Sequence, residues 1–330
     1  MNNEELKIEI NKLKNELDVS IVAHFYQKDE VFDMADFKGD SLELAKWAAK
    51  DDKSNLIFCG VGFMGQSVKI LDPSKRVFMP KIACCAMARM IDVDYFDQNI
   101  NILEKAGIKK EDIMPVTYIN SSAEVKARVG EMGGYVCTSS NAKKIITKAL
   151  QSGKKILFVP DRCLGQNIAI DMGLKSCVIG DGVDPNSADI ICYNGFCSVH
   201  QLFEVEDIEF YRRKYPGILI VTHPECKPEV CVKSDFVGST SQIIKFIKEL
   251  PLDQKVAVGT EFNMVNRLRE KNTFILSSTK PECPTMNETT LEDLYNALLS
   301  IKEKKYENEI TISEEVRKYS YLALKRMFEI

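Results

Sequence analysis

The chain repeats itself, and this constrains its fold more than any other feature. Three apolar runs ending in polar residues, 19–26 (VSIVAHFY), 113–120 (IMPVTYIN) and 217–225 (GILIVTHPE), recur at intervals of about 100 residues. That period is too long for a solenoid repeat and suits a small α/β domain. Aligned on their apolar parts, the runs bring His24, Tyr118 and His223 into register. Tyr26, Asn120 and Glu225 follow two residues later, on the same face of an extended chain. Each unit has a second run (55–61, 155–160, 255–259) and a third (76–79, 189–192, 273–276). A cysteine-bearing loop comes after each third run: Cys84-Cys85, Cys197 and Cys283.

Helical patterns separate the runs. The expected fold is therefore α/β: three similar three-layer α/β/α domains with short parallel sheets, set around a pseudo-threefold axis. The expected division is 1–100, 101–205 and 206–310, with an amphipathic helix over 311–330 packing back on the first domain. Each unit also holds a helix with a hydroxyl-rich start: Asp40-Ser41, Thr138-Ser139-Ser140-Asn141 and Ser239-Thr240-Ser241. Such residues are ordinary N-caps. Free N–H groups at a helix start also bind anions, so both readings stand at these three places.

The charge balance of −4 gives no reason to expect nucleic acid or an anionic membrane as partner. No apolar run approaches the roughly 20 residues of a membrane span, and no export signal is visible. A cytoplasmic location with reduced thiols is the expectation, and the odd count of 11 cysteines argues against a disulfide framework. There is no Cys-x-x-Cys pair, which disfavours a zinc ribbon and a thioredoxin-like centre. Cys59, Cys137, Cys177 and Cys192 lie in or beside apolar runs and read as core.

Two metal readings remain open. Cys192, Cys197 and His200 crowd one short stretch and suit a local zinc site. Alternatively, the strands of three similar units point their C-terminal ends, where ligands bind in open α/β sheets, at one another. One cysteine from each unit then suits a [4Fe–4S] cluster with one iron left without a protein ligand. All three histidines of the chain, His24, His200 and His223, fall at these strand ends or beside Cys197. Glu225, in Thr-His-Pro-Glu-Cys, is placed for general acid/base work, or for capping. Tyr26 and Tyr118 are placed to shuttle protons, or to pack.

Several stretches together resemble the quinolinate synthase family, the iron–sulfur enzymes of de novo NAD biosynthesis: IVAHFYQKDEV, CGVGFMGQSVKIL, TYINSSAEVKA, CTSSNA, GFCSVHQLF, THPECKPEV, VGSTSQIIK, GTEFNMVNRL and ECPTMNETTLEDLYNAL. The likeness runs from about residue 19 to the end. It implies condensation of iminosuccinate, supplied by an aspartate-oxidising enzyme, with dihydroxyacetone phosphate, releasing phosphate and two waters as the pyridine ring closes. It further implies a [4Fe–4S] cluster on Cys85, Cys197 and Cys283, whose open iron polarises the substrate. The resemblance places catalytic roles on Glu225, Tyr26, His223, Tyr118 and His200. Substrate contacts fall on His24, Ser41, Phe63, Asn120, Ser139 and Thr240. Departures from the family's pattern at Cys84, Arg89, Arg162-Cys163 and Asn287 keep one alternative open, a paralogous cluster-dependent synthase or lyase acting on another small anionic substrate.

Overall fold

The structure, a computed structural model, describes residues 1–330. The first unit begins with helix α1 (Asn3–Glu16), capped by Asn2 in a capping box with Glu5. Its strands are β1 (Val19–His24), β2 (Phe37–Gly39), β3 (Asn55–Cys59) and β4 (Arg76–Phe78), and its helices are α2 (Asp29–Phe32), α3 (Ser41–Ala48) and α4 (Gly62–Leu71). Helix α5 (Val93–Lys105) leads into the second unit. There β5 (Ile113–Tyr118), β6 (Tyr135–Cys137), β7 (Lys155–Val159), β8 (Ser176–Val178) and β9 (Ile190–Cys192) alternate with α6 (Ala123–Glu131), α7 (Ala142–Leu150) and α8 (Arg162–Met172). The third unit opens with α9 (Val205–Lys214). It contains β10 (Leu219–Thr222), β11 (Phe236–Val237), β12 (Val256–Gly259) and β13 (Thr273–Ile275), with α10 (Pro228–Val232), α11 (Thr240–Glu249) and α12 (Phe262–Asn266). Helices α13 (Leu291–Lys302) and α14 (Glu314–Phe328) close the chain.

Every strand pairing within these sheets is parallel. The orders are β2-β1-β3-β4, β6-β5-β7-β9-β8 and β11-β10-β12-β13, one topology used three times with β8 added in the middle unit. The first and third sheets each gain one edge strand over the three runs expected from sequence, and the middle sheet gains two; β2, β6, β8 and β11 are only two or three residues long, too short to show a period. Apolar runs without a polar face are what a sheet covered on both sides requires. Alternation along the strands sorts Val22, Leu56 and Phe58 into one core, and Ile21, Ala23, Ile57 and Cys59 into another on the opposite face. The first of these cores runs on without a break into the second unit, whereas the third unit packs its sheet between two small cores of its own.

The last two helices cross the repeat. Leu291, Leu294, Leu298 and Ile301 of α13 complete the core beside α1, so this helix covers the first sheet although it follows the third in sequence. Helix α14 was expected on the first unit. It touches α4 there, but its main seat is α6 and β6 of the second unit, where its backbone comes so close that only glycine fits at Gly130. No helix is long and apolar enough to cross a membrane.

Candidate active site

The three cysteine loops are built alike. The first residue of the helix after the second core strand, Gly62, Arg162 or Phe262, donates its N–H to the carbonyl two residues before a cysteine. These bonds reach Ala83 at 2.8 Å, Gly195 at 2.9 Å and Pro281 at 2.9 Å. The N–H four residues after the cysteine closes back on the cysteine's own carbonyl: Arg89 to Cys85 at 3.2 Å, Gln201 to Cys197 at 3.2 Å and Asn287 to Cys283 at 3.1 Å. This register selects Cys85 over Cys84, which is exposed.

The loops and the first-strand ends line one cavity. Cys85, Cys197 and Cys283 line it, one from each unit. So do His24, Tyr26, Ser41 and Phe63 from the first unit, Tyr118, Asn120, Ser139 and His200 from the second, and His223, Glu225 and Thr240 from the third. Cys192 does not. It lies in the core against Gly165, because strand alternation turns it away from the site. Of the two metal readings, the local one on Cys192, Cys197 and His200 therefore lacks its first ligand, and Cys192 is the core residue its apolar run implies. The ligand-type atoms that gather around Cys197 are those of His200 and Glu225, all within 4.8 Å of one another.

A chain of hydrogen-bonding groups crosses the units. Tyr26 Oη lies 2.9 Å from Thr260 Oγ1, and Thr260 Oγ1 lies 3.1 Å from His200 Nε2. His200 Nδ1 is 2.9 Å from Glu225 Oε2 and 3.2 Å from Cys197 Sγ. A carboxylate only accepts, so Nδ1 carries the proton. Burial alone pushes the Glu225 carboxyl up, but His200 and His223, with hydrogen bonds from His200 and Tyr118, hold it below the ordinary carboxylate range. Burial draws His24 down to about 4 and His223 to about 3. Both rings use Nδ1 as an acceptor, from the N–H of Tyr26 (3.1 Å) and Glu225 (3.3 Å), which suits the neutral form. Burial raises the Tyr26 and Tyr118 phenols well above their usual value, so both stay protonated.

At the hydroxyl-rich helix starts, capping accounts for two of the three. Asp40 accepts the N–H groups of Leu42 and Glu43 at α3, and Ser239 accepts that of Gln242 at α11. Asp40 Oδ2 also accepts Ser140 Oγ (3.1 Å) and Ser241 Oγ (2.6 Å), tying all three units together at the cavity mouth. At α7 the cap residue Asn141 makes no side-chain cap bond.

Three buried residues that the sequence reading did not single out serve this site. Thr260 joins Tyr26 to His200. Glu261 accepts the Cys283 N–H at 3.4 Å. Lys126 holds the turn that carries Asn120, by the Ile119 and Ser121 carbonyls. The first two have a signal in the repeat, since both sit where β12 meets α12, at the step that binds each cysteine loop. Lys126 is legible as a lone cation on a helix face otherwise made of Ala123, Val125, Ala127 and Val129.

The donor set fits a thiophilic metal centre. Three free thiols from three loops of one register meet in a cavity whose wall includes no lysine or arginine. Burial pushes Cys85 up to about 12 and raises Cys197 and Cys283, so a bound metal would supply the charge that makes them thiolates.

Comparison with known proteins extends the likeness to the whole chain. The profile of the NadA family, described as Quinolinate synthetase A protein, matches residues 8–329. Curated proteins named quinolinate synthase are similar along nearly the full length. That of Helicobacter pylori is 55% identical over 99% of this chain and 98% of its own. That of Acidobacterium capsulatum is 41% identical over 94% and 88%, and that of Streptomyces coelicolor 38% over 94% and 84%.

Proposed function

This chain belongs to the NadA quinolinate synthetase family, and we propose that it condenses iminosuccinate with dihydroxyacetone phosphate to quinolinate, releasing phosphate and two waters. The carrying observation is that Cys85, Cys197 and Cys283 stand in one register, each from its own unit, on a single cavity. In this reading they hold a [4Fe–4S] cluster, which when bound supplies a Lewis-acidic iron free of protein ligands.

The side chains divide the remaining work. Ser41, Ser139 and Thr240 offer hydroxyls to the carboxylates and phosphate of the substrates, while Phe63 closes the wall. Imine formation, which releases one of the two waters, and the dehydration that releases the other need protons taken from carbon or nitrogen and delivered to departing oxygen. Glu225, kept ionised, is the base. His200 holds its Nδ1 proton on Glu225, and the Tyr26 phenol, linked through Thr260, is the donor at the far end of the same chain. Tyr118, beside Glu225 and Ser139, is a second phenolic donor. The neutral rings of His24 and His223 orient substrate without adding charge.

The test is anaerobic purification followed by iron and sulfide analysis, electron paramagnetic resonance and a quinolinate assay. The expected result is brown protein with about four iron and four sulfide per chain that forms quinolinate. Colourless protein with one zinc on Cys197, His200 and Glu225, forming no quinolinate, would overturn the reading.

A further inference from the structure

The three first-strand turns share a device. Each cavity residue at the turn has the carbonyls on either side of it held by a single side chain. Arg267 takes those of Phe25 and Gln27 around Tyr26. Asn167 takes those of Pro224 and Cys226 around Glu225, at 2.8 Å each. Lys126 takes those of Ile119, at 2.8 Å, and Ser121 around Asn120.

The second unit breaks this symmetry in two ways. The first concerns the turn N–H. In the first and third units it is accepted by a histidine two residues earlier, His24 for Tyr26 and His223 for Glu225. Tyr118 occupies that place in the second unit, and the Asn120 N–H donates to no group of the protein. The second concerns charge. Arg267 is paired with Asp29 at 2.6 Å, and Asn167 is neutral. Lys126 is fully buried with no carboxylate within ion-pair distance, its remaining contact being the Phe63 ring at 5.5 Å. The contrast with Lys75 is sharp. That lysine, equally buried, has Asp51 at 3.0 Å as well as two carbonyls. A lone buried cation is costly and is kept only where something else gains from it.

We infer that the second unit supplies the anion subsite of the cavity: the free Asn120 N–H, polarised through its own peptide by the Lys126 ammonium, takes a carboxylate or phosphate oxygen of the substrate. A trans peptide points its N–H opposite to its C=O, so a carbonyl held by Lys126 leaves the N–H directed away from the lysine. Ile119 and Asn120 line the cavity at that point. Lys126 thus acts as a positioning residue whose charge reaches the ligand through one peptide unit and one aromatic ring. It is the cation that the cavity wall itself lacks. The inference rests on the reading of the cavity as a site for small anions.

The test uses holoprotein with Lys126→Gln, which keeps donors for the two carbonyls but not the charge, and Lys126→Met, which keeps neither. Binding of inorganic phosphate and of succinate is measured by calorimetry, with iron content and melting temperature as controls. Both variants are expected to weaken at least one probe about tenfold with iron retained. A loss confined to phosphate, or to succinate, assigns the subsite to that end of the substrate pair. Wild-type affinity in Lys126→Gln would overturn the inference and leave Lys126 a mere clamp.

Should neither variant fold, the wild-type protein carries the test. Burial draws Lys126 down to about 7, and Glu124, exposed on the same helix, is the other charge acting on it. Added phosphate or succinate is expected to move the titration of its ε-carbon signal to higher pH in lysine-labelled protein. An unmoved titration at saturating concentrations of both probes sinks the proposal. Wild-type protein that binds these anions yet makes no quinolinate would refute the proposed reaction and leave the subsite standing.

Discussion

The cysteine loops and the first-strand turns lie at the same end of the same three sheets, and the repeat has treated them in opposite ways. In the loops, two backbone hydrogen bonds recur in all three units within 0.1 Å of 2.8–2.9 Å and 3.1–3.2 Å. In the turns, only the backbone scaffold recurs. The groups that face the cavity have become His24 and Tyr26, Tyr118 and Asn120, and His223 and Glu225. Identical arms suit a symmetric guest held once by each unit. Different arms suit asymmetric substrates with a carboxylate, an imine and a phosphate to tell apart. Under the proposed function, the repeated geometry would hold the metal and the diverged geometry would carry the chemistry.

The largest expected effect comes from breaking the repeated part. Cys85→Ser, Cys197→Ser and Cys283→Ser should each abolish iron binding and quinolinate formation, and should do so equally. Cys84→Ser, outside the register, should retain iron. Iron analysis of the four variants decides it. Retention of full iron in Cys85→Ser together with loss in Cys84→Ser would reverse the assignment. A cluster held by three units, as proposed, would also link them, so the cysteine variants should then melt at lower temperature.

Breaking the diverged part should leave the metal in place. Glu225→Gln preserves shape and removes the proposed base. Its kcat is expected to fall by about 10²–10⁴ with iron content unchanged. Because Glu225 also stands near Cys197 and His200, this variant separates the two metal readings. A mononuclear site using Glu225 would lose its metal; a site held by three thiols would keep it.

The turns also predict a pH dependence that the loops do not. His24 and His223 are held neutral, at about 4 and about 3, against an ordinary value near 6.5. Their folded-state values are depressed, so their contribution is intact above about pH 6.5 and is lost as pH falls toward 4, where the unfolded chain takes up protons and the folded chain does not. Each should remove about 2 kcal/mol of stability by pH 4.5. Urea unfolding at several pH values measures the slope, and a His24→Asn/His223→Asn double variant should flatten it. An unchanged slope in the double variant would show that these rings titrate normally.

The fold was legible because sheets covered on both faces demand unbroken apolar runs, and three such sheets at a fixed interval leave few architectures. The cysteines were legible because a repeat aligns them. Strands β2, β6 and β11 were not, since two or three residues carry no period. The seats of α13 and α14 were not either: an apolar stripe such as Leu291, Leu294 and Leu298 states that a helix is covered, not by which sheet. Within the site, Thr260 acts through hydrogen bonds to Tyr26 and His200, which only the folded chain brings near, whereas Lys126 acts on carbonyls of the turn just before its own helix. Cys192 shows the apolar run outweighing proximity: its place at a strand end reads as core although Cys197 and His200 follow closely, and the thiol is fully buried there.

Asp40 tests the comparison where it is weakest, because it belongs to a repeated position that has been used asymmetrically. The three helix starts correspond across the units and are capped by Asp40, Asn141 and Ser239, yet only Asp40 carries charge, and it collects the hydroxyls of Ser140 and Ser241 beside the other two caps. If this hub is a structural cap, its value lies in hydrogen bonds and not in charge. Asp40→Asn keeps the acceptor for Leu42 and Glu43 and puts an amide N–H₂, a donor, where Oδ2 takes the Ser140 and Ser241 hydroxyls, which can turn to accept from it; asparagine caps helices about as well as aspartate. Asp40→Ala removes every one of these bonds. The alanine variant should therefore lose about 1–2 kcal/mol of stability, and the asparagine variant less than half of that, by urea unfolding of the two proteins side by side. Equal losses would mean that the negative charge at the junction of three helix starts is what counts. The helix termini would then join the diverged chemistry of the turns and leave the repeated scaffold.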